Sequence, residues 1–212
     1  MINQTSLARP RGRPPAFDRD TVLAQAGETF WRLGYEGASI ADLTAAMGIT
    51  PQSLYGAFTS KAELYRQCLI RYRATVGAFA GRALAEEPTT VAAFSRVLRE
   101  AAREYSLPDR PRGCMLLTAG LACAAENAQV VTHVAGLRAE ILAAFTARIE
   151  RGKREGDIRA ETDAATLARY LQAILQGMSL QARDGAGEAQ LADIASVATR
   201  ELESHNRPPN AI

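Results

Sequence analysis

The sequence predicts an all-α protein of about nine helices, and three observations carry that prediction. Apolar residues recur at three- and four-residue spacing along nearly all of the 212 residues, the mark of amphipathic helices. Almost no stretch alternates with period 2, as half-buried strands would. Proline, glycine and short polar cap residues fall at the ends of the periodic runs.

Taken in order, residues 1–16 read as a flexible basic arm. RPRGRPP carries Arg9, Arg11 and Arg13 with no acid, and its proline and glycine keep it extended. Asp18 caps a first helix to about Leu33, with Phe17 and Val22 as a hydrophobic staple, Gly34 as the stop, and Leu23, Ala26, Phe30 and Leu33 as the buried stripe. Ser39-Ile-Ala-Asp42 matches a capping box and opens a short helix that Gly48 breaks after Met47. Thr50 caps the next helix, Pro51 is its first residue, and Leu54 and Phe58 give it one narrow apolar edge. Ser60-Lys-Ala-Glu63 matches a second capping box, opening a long helix on which Leu64, Cys68, Tyr72, Val76 and Phe79 align. A helix over about 89–106 is ended by Pro108 and Pro111, and the small apolar stretch GCMLLTAGLACAA after it is expected to be buried. The last three helices are expected over about 127–154, 163–183 and 188–204, with Gly156 and the DGAG turn as breaks.

Composition narrows the classes. A 47% hydrophobic content supports a sizeable core, and a net charge of +2 says little about partners. The start of the chain has no signal-peptide pattern, and no apolar run approaches the ~20 residues of a membrane span, so a cytoplasmic protein without a membrane partner is expected. Cys68, Cys114 and Cys123 are scattered without paired C-x-x-C spacing, which argues against disulfides and a structural metal. No metal and no cofactor is implied. His133 and His205 are the two histidines, and no H-E-x-x-H, P-loop or G-x-G-x-x-G pattern appears, so an enzyme is not expected.

Two short helices joined by a tight glycine-containing turn are the signature of a helix-turn-helix. The second, Pro51 to Phe58, is far below the ~12–15 residues an isolated helix needs. It must be held by its neighbours, and its polar side is the one a DNA major groove would receive. Thr50, Gln52 and Ser53 fall in its first turn, where side chains reach base edges and free N–H groups attract phosphate. Gln52 suits bidentate pairing with adenine. The Tyr55 hydroxyl suits a phosphate, and Ser39 and Lys61, at the starts of the flanking helices, suit phosphates on either side.

FWRLGYEGASIADLTAAMGITPQSLYGAFTSKAELY, Phe30 to Tyr65, resembles the DNA-binding domain of the TetR family of bacterial transcriptional repressors. The likeness runs over about Asp18 to Tyr72 through the G-Y pair, S-I-x-D-L-x-x-x-M-G-I and S-L-Y-x-x-F-x-S-K. It implies operator contact by Ser39, Thr50, Pro51, Gln52, Ser53, Tyr55 and Lys61, within a DNA-binding domain at 17–62. Gly56 departs from the pattern, since members often carry a larger side chain there. The arm resembles the arginine-bearing extension of one branch of the family, which places Arg11 and Arg13 in the minor groove.

The resemblance further implies a helical effector-binding and dimerisation domain at 63–205, a homodimer, and a small apolar or aromatic effector, with residues 206–212 as a disordered tail. Two apolar stripes, Leu167, Tyr170, Leu171, Ile174 and Met178, then Leu191, Ile194, Ala198 and Leu202, are expected at the dimer interface. Cys68, Tyr72, Phe79, Phe94, Leu98, Tyr105, Met115 and Phe145 are the candidate pocket residues, fewer than half of them expected to touch a ligand. Two alternatives stay open. One is a thiol- or metal-responsive DNA-binding regulator in which Arg110 and Arg112 lower the Cys114 pKa. The other is a helical protein-binding adaptor without DNA binding.

Overall fold

The computed structural model describes residues 18–119 and 123–206. Within them lie α1 (Arg19–Gly37), α2 (Ile40–Met47), α3 (Pro51–Phe58), α4 (Lys61–Ala74), α5 (Ala78–Glu86), α6 (Thr90–Ser106), a 3-10 turn (Ala125–Asn127), α7 (Ala128–Glu155), α8 (Ala164–Arg183) and α9 (Glu188–Glu203), with no strand among the described residues. The arm, with Arg11 and Arg13, and residues 207–212 fall outside the described residues.

The caps act where the sequence places them. Asp18 accepts the Thr21 N–H, Thr50 the Ser53 N–H and Thr89 the Ala92 N–H. Ser39 and Asp42 form both halves of a capping box. Gly48 and Gly156 close α2 and α7 in the left-handed conformation that glycine adopts without steric cost. Phe30, Tyr35 and Tyr65 cluster between α1 and α4, with Phe30 and Tyr65 centroids 4.8 Å apart. In the remainder of the chain α6 is the central helix, packed by α5, α8 and α9, while α7 lies against α8. Arg148 is buried there, donating to Thr90 Oγ1 at 2.8 Å, and Asp157 accepts the Thr90 N–H at 2.5 Å. A Cβ on Gly152 would sit 2.0 Å from that hydroxyl, so only glycine fits.

Several expectations are corrected. The helical φ/ψ of α1 break at Gly34, but one further turn carries Tyr35 into the core and leaves Leu33 46% exposed. The Ser60 cap lacks its reciprocal half, because the Glu63 carboxylate is taken by Arg66 and Gln67. The long helix expected through Phe79 stops at Ala74: Thr75 leaves helical geometry, the Gly77 N–H returns to the Tyr72 carbonyl, and Phe79 sits on a separate α5. His205 is tied down, its carbonyl accepting the Arg159 N–H at 3.0 Å and Asn206 bridging to Ile158. The span Ala125–Glu155 does have the length and composition to cross a membrane. Its Val130, Val134, Leu137, Phe145 and Ile149 are buried in this fold, while 22% of its most apolar window is buried overall.

The two stripes assigned to a dimer interface mostly close the chain's own core. Leu167, Leu171, Met178, Leu191, Ala198 and Leu202 are each at most 4% exposed. Both helices are apolar over more than one stripe, and the larger, more regular one turns toward α6. Tyr170, Ile174 and Ile194 are partly buried, and Leu180 and Val197 are exposed beyond them, at 55% and 56%.

Candidate nucleic-acid interface and internal cavity

The short helix α3 is held from beneath by two side chains. Leu54 and Phe58 are 0% and 1% exposed. Arg19 stacks over the Phe58 ring at 4.6 Å and donates to the Gln67 Oε1 at 2.8 Å, which pins the C-terminal end of α3 to α1 and α4. Nothing local in the sequence marks Arg19, whose partner Phe58 lies 39 positions away. The connection to α4 is tight as well: Thr59 has φ 61°, and the Ser60 N–H reaches the Phe58 carbonyl at 2.6 Å. That is a γ-turn of the rare positive-φ kind, centred on a β-branched residue, so the backbone is strained there.

The other side of α3 is free. Thr50, Pro51, Gln52, Ser53, Tyr55 and Gly56 are all exposed, Tyr55 by 48%. Thr50 and Ser53 hydroxyls lie 3.0 Å apart, bonded to each other within the first turn. Ser39, exposed at the start of α2, uses its hydroxyl and N–H on Asp42. Lys61 holds its ammonium 4.5 Å from the Tyr35 ring centroid. Burial pushes the Lys61 pKa down, and the Glu36 carboxylate opposes that shift. No carboxylate lies on α3 itself.

Behind this head, between α4–α7 and α8, is a cavity of about 320 Å³. Of the eight expected lining residues, Tyr72, Phe79, Tyr105 and Phe145 reach it. Leu98 and Phe94 stay in the core, the latter edge-on to Phe145 at 5.1 Å. Cys68 and Met115 face a smaller space of about 230 Å³ between α1 and α4. Val97, Leu116, Leu117, Ile141 and Leu175 complete the apolar wall, and they escaped notice because they come from segments far apart in sequence.

Cys114 also lines the cavity, but not as a reactive thiol activated by arginines. It is buried, and burial raises its pKa, against hydrogen bonds from Tyr72 and the Leu117 N–H that lower it. Arg110 is paired with Glu104 and Asp109 instead. Among the described residues no group of His, Cys, Asp and Glu could hold a metal ion.

The segment beside the cavity is hydrogen-bonded to the head, and Thr118 joins it to the wall by donating to the Cys114 carbonyl at 2.8 Å. Cys114 N–H donates to Ser179 Oγ at 2.7 Å, and Arg183 donates to both Thr118 Oγ1 and the Trp31 carbonyl, at 3.3 and 3.4 Å. Glu36, at the end of α1, accepts from the Ala124 N–H and from Asn127 Nδ2, each at 2.8 Å, and these bonds hold its carboxyl below the ordinary range.

Comparison with known proteins matches this arrangement. Residues 22–68 match the family described as bacterial regulatory proteins, tetR family, and residues 90–195 the tetracyclin repressor-like C-terminal domain. The chain is 32% identical over 198 residues to the HTH-type transcriptional repressor ComR of Escherichia coli, covering 92% of this chain and 93% of that protein. HTH-type transcriptional repressor BdcR of the same organism is 26% identical over 197 residues, covering 93% and 95%. Among solved structures, a cysteine mutant of the TetR-family regulator CifR, complexed with a 26-bp double-strand operator DNA, is 38% identical with a TM-score of 0.86, covering 89% of this chain and 98% of that one. The short buried-backed helix, the capped turn before it and the helical body behind it are thus those of a known lineage, and this chain belongs to the TetR family of bacterial transcriptional regulators.

Proposed function

We propose that this chain is a cytoplasmic repressor that binds a near-palindromic operator as a homodimer and releases it when a small apolar molecule enters the cavity. The observation that carries the reading is the exposed edge from Thr50 to Tyr55 on a helix whose buried side is Leu54 and Phe58. Such an edge buries nothing within the chain, and its size and polarity suit a major groove. Gln52 and Ser53 read bases, and Ser39, Thr50, Tyr55 and Lys61 hold phosphates. The names of the relatives point the same way, ComR being a repressor and CifR having been captured on operator DNA.

The homodimer uses the outer faces of α8 and α9. Tyr170, Ile174, Leu180, Ile194 and Val197 form an apolar set that the single chain leaves at least partly uncovered, and a twofold partner would bury it. Two heads on one face of the duplex then meet two half-sites. A ligand acts through the wall it touches: the Cys114 carbonyl accepts from Thr118, and Thr118 is bonded through Arg183 to the Trp31 carbonyl on α1. It shifts the equilibrium only by binding the released state better.

A fluorescence-anisotropy titration of the full chain against DNA from upstream of its own gene, over a range of salt, tests the reading. A selective complex whose affinity falls steeply with salt is expected. Equal binding to every fragment, or no binding at low salt, would refute it.

A further inference from the structure

We propose that the effector is an amphipathic organic anion whose apolar body fills the cavity and whose acid group stays at the mouth beside Arg82. The inference rests on the reading of the cavity as the effector site.

The interior offers few free polar partners. Tyr72 donates to Cys114 Sγ at 3.4 Å, the Leu117 N–H points at the same sulfur at 3.4 Å, and Gln172 donates to the Arg138 carbonyl at 2.9 Å. A ligand that carried a polar group to the deep end would leave it unpaired, at a cost of several kilocalories per mole in an apolar medium. Burial also raises the pKa values of Tyr72, Tyr105 and Cys114, so the deep end holds no charge for a ligand charge to meet. The part that enters is therefore apolar.

The unpaired charge at the mouth has one sign. Its wall contains no Asp or Glu, and its two charged residues are arginines, both exposed and so placed where the cavity opens to solvent. Arg73 is already paired with Glu140. Arg82 makes no ion pair among the described residues. An acid group brought there by a ligand gains a partner, whereas an ammonium group would meet like charge, the nearby Glu140 carboxylate being held by Arg73. An exposed ion pair is a small effect, about 0.2–1 kcal/mol, or roughly 1.4- to 5-fold in affinity. It decides between ligands that are otherwise alike, and that is the comparison to make.

Isothermal titration of the full chain with octanoate, 1-octanol and octylammonium supplies it, since the three share one apolar body and differ in head charge. Octanoate is expected to bind about 2- to 5-fold more tightly than octanol, and octylammonium more weakly than octanol. Arg82→Ala should erase the octanoate advantage and leave octanol unchanged; Arg82→Glu should invert the order of the two ions. A control narrows the entrance. A Cβ on Gly81 meets nothing within 4 Å and Gly81 lies on the wall at the exposed mouth, so Gly81→Leu adds bulk at the entrance without a clash, and all three probes should weaken.

Octylammonium binding as tightly as octanoate would overturn the inference, as would an octanoate advantage that survives Arg82→Ala. If octanol and octanoate bind equally and Gly81→Leu weakens both, the effector site stands and the preference for an anion falls. If none of the three binds, or Gly81→Leu leaves them unaffected, the cavity reading itself fails and takes the inference with it.

Discussion

The head and the body of this protein solve opposite problems with the same secondary structure. Helix α3 has eight residues and buries two, so most of its surface is left over for something outside the chain. Helix α6 has seventeen residues and buries eight, spending itself on α5, α8 and α9. A short helix is marginal alone, yet here it is fixed by Leu54, Phe58 and the Arg19 stack. Function sits on an element whose order is borrowed from its neighbours. The contrast teaches where fragility lies: the head can lose its geometry while the body remains folded.

That contrast can be broken most forcefully at the anchors. Phe58→Ala removes a fully buried ring from beneath α3 and is expected to cost about 3–5 kcal/mol. Operator affinity should vanish in an anisotropy titration, while far-ultraviolet circular dichroism keeps most of the helical signal from α6 to α9. Loss of the whole helical signal would show that head and body fold as one unit. Next in size is the partner face. Val197→Glu and Leu180→Glu alter side chains that are 56% and 55% exposed in the single chain, so thermal unfolding of the isolated chain should move little. Sedimentation should report a monomer, and operator affinity should fall at least about tenfold with the loss of the second head. The same change at the buried Leu171 would instead unfold the chain. Smaller still is the reading edge: Gln52→Ala should relax preference at one base pair per half-site by about 1–3 kcal/mol, and Tyr55→Phe should weaken all sites alike. Identical specificity profiles for the two variants would contradict the division of roles.

The head was legible in the sequence because its instructions are local. Ser39 with Asp42, Thr50 with Pro51, and Gly48 lie within a few residues of what they cap or break, and the structure shows them acting there. The body was legible only in its helix boundaries. Leu171 and Leu202 face inward, and Leu180 and Val197 outward, because of how α6 crosses α8 and α9, and a stripe on one helix carries no record of which neighbour takes it. The cavity shows the same limit. Leu116, Ile141 and Leu175 converge from separate segments, whereas Cys68 and Met115, as apolar in sequence, turn toward α1. The break at Thr75 was hidden too, since Val76 and Phe79 continue the apolar spacing straight through it.

The smallest expected effect tests why a helix so dependent on its neighbours also carries a glycine. A Cβ on Gly56 would meet nothing within 4 Å, and the residue is exposed, so no packing within the chain requires its absence. Glycine within a helix costs roughly 0.5–1 kcal/mol relative to alanine through backbone entropy. Gly56→Ala should therefore stabilise the free protein by about that amount, a rise of roughly 1–4 °C in a thermal melt of a chain this size. If the glycine is kept so that the α3 backbone can approach a duplex closely, the same change should lower operator affinity while raising stability. Paired melts and titrations of the one variant separate the two effects, and a variant that gains in both would show that Gly56 merely forgoes a contact.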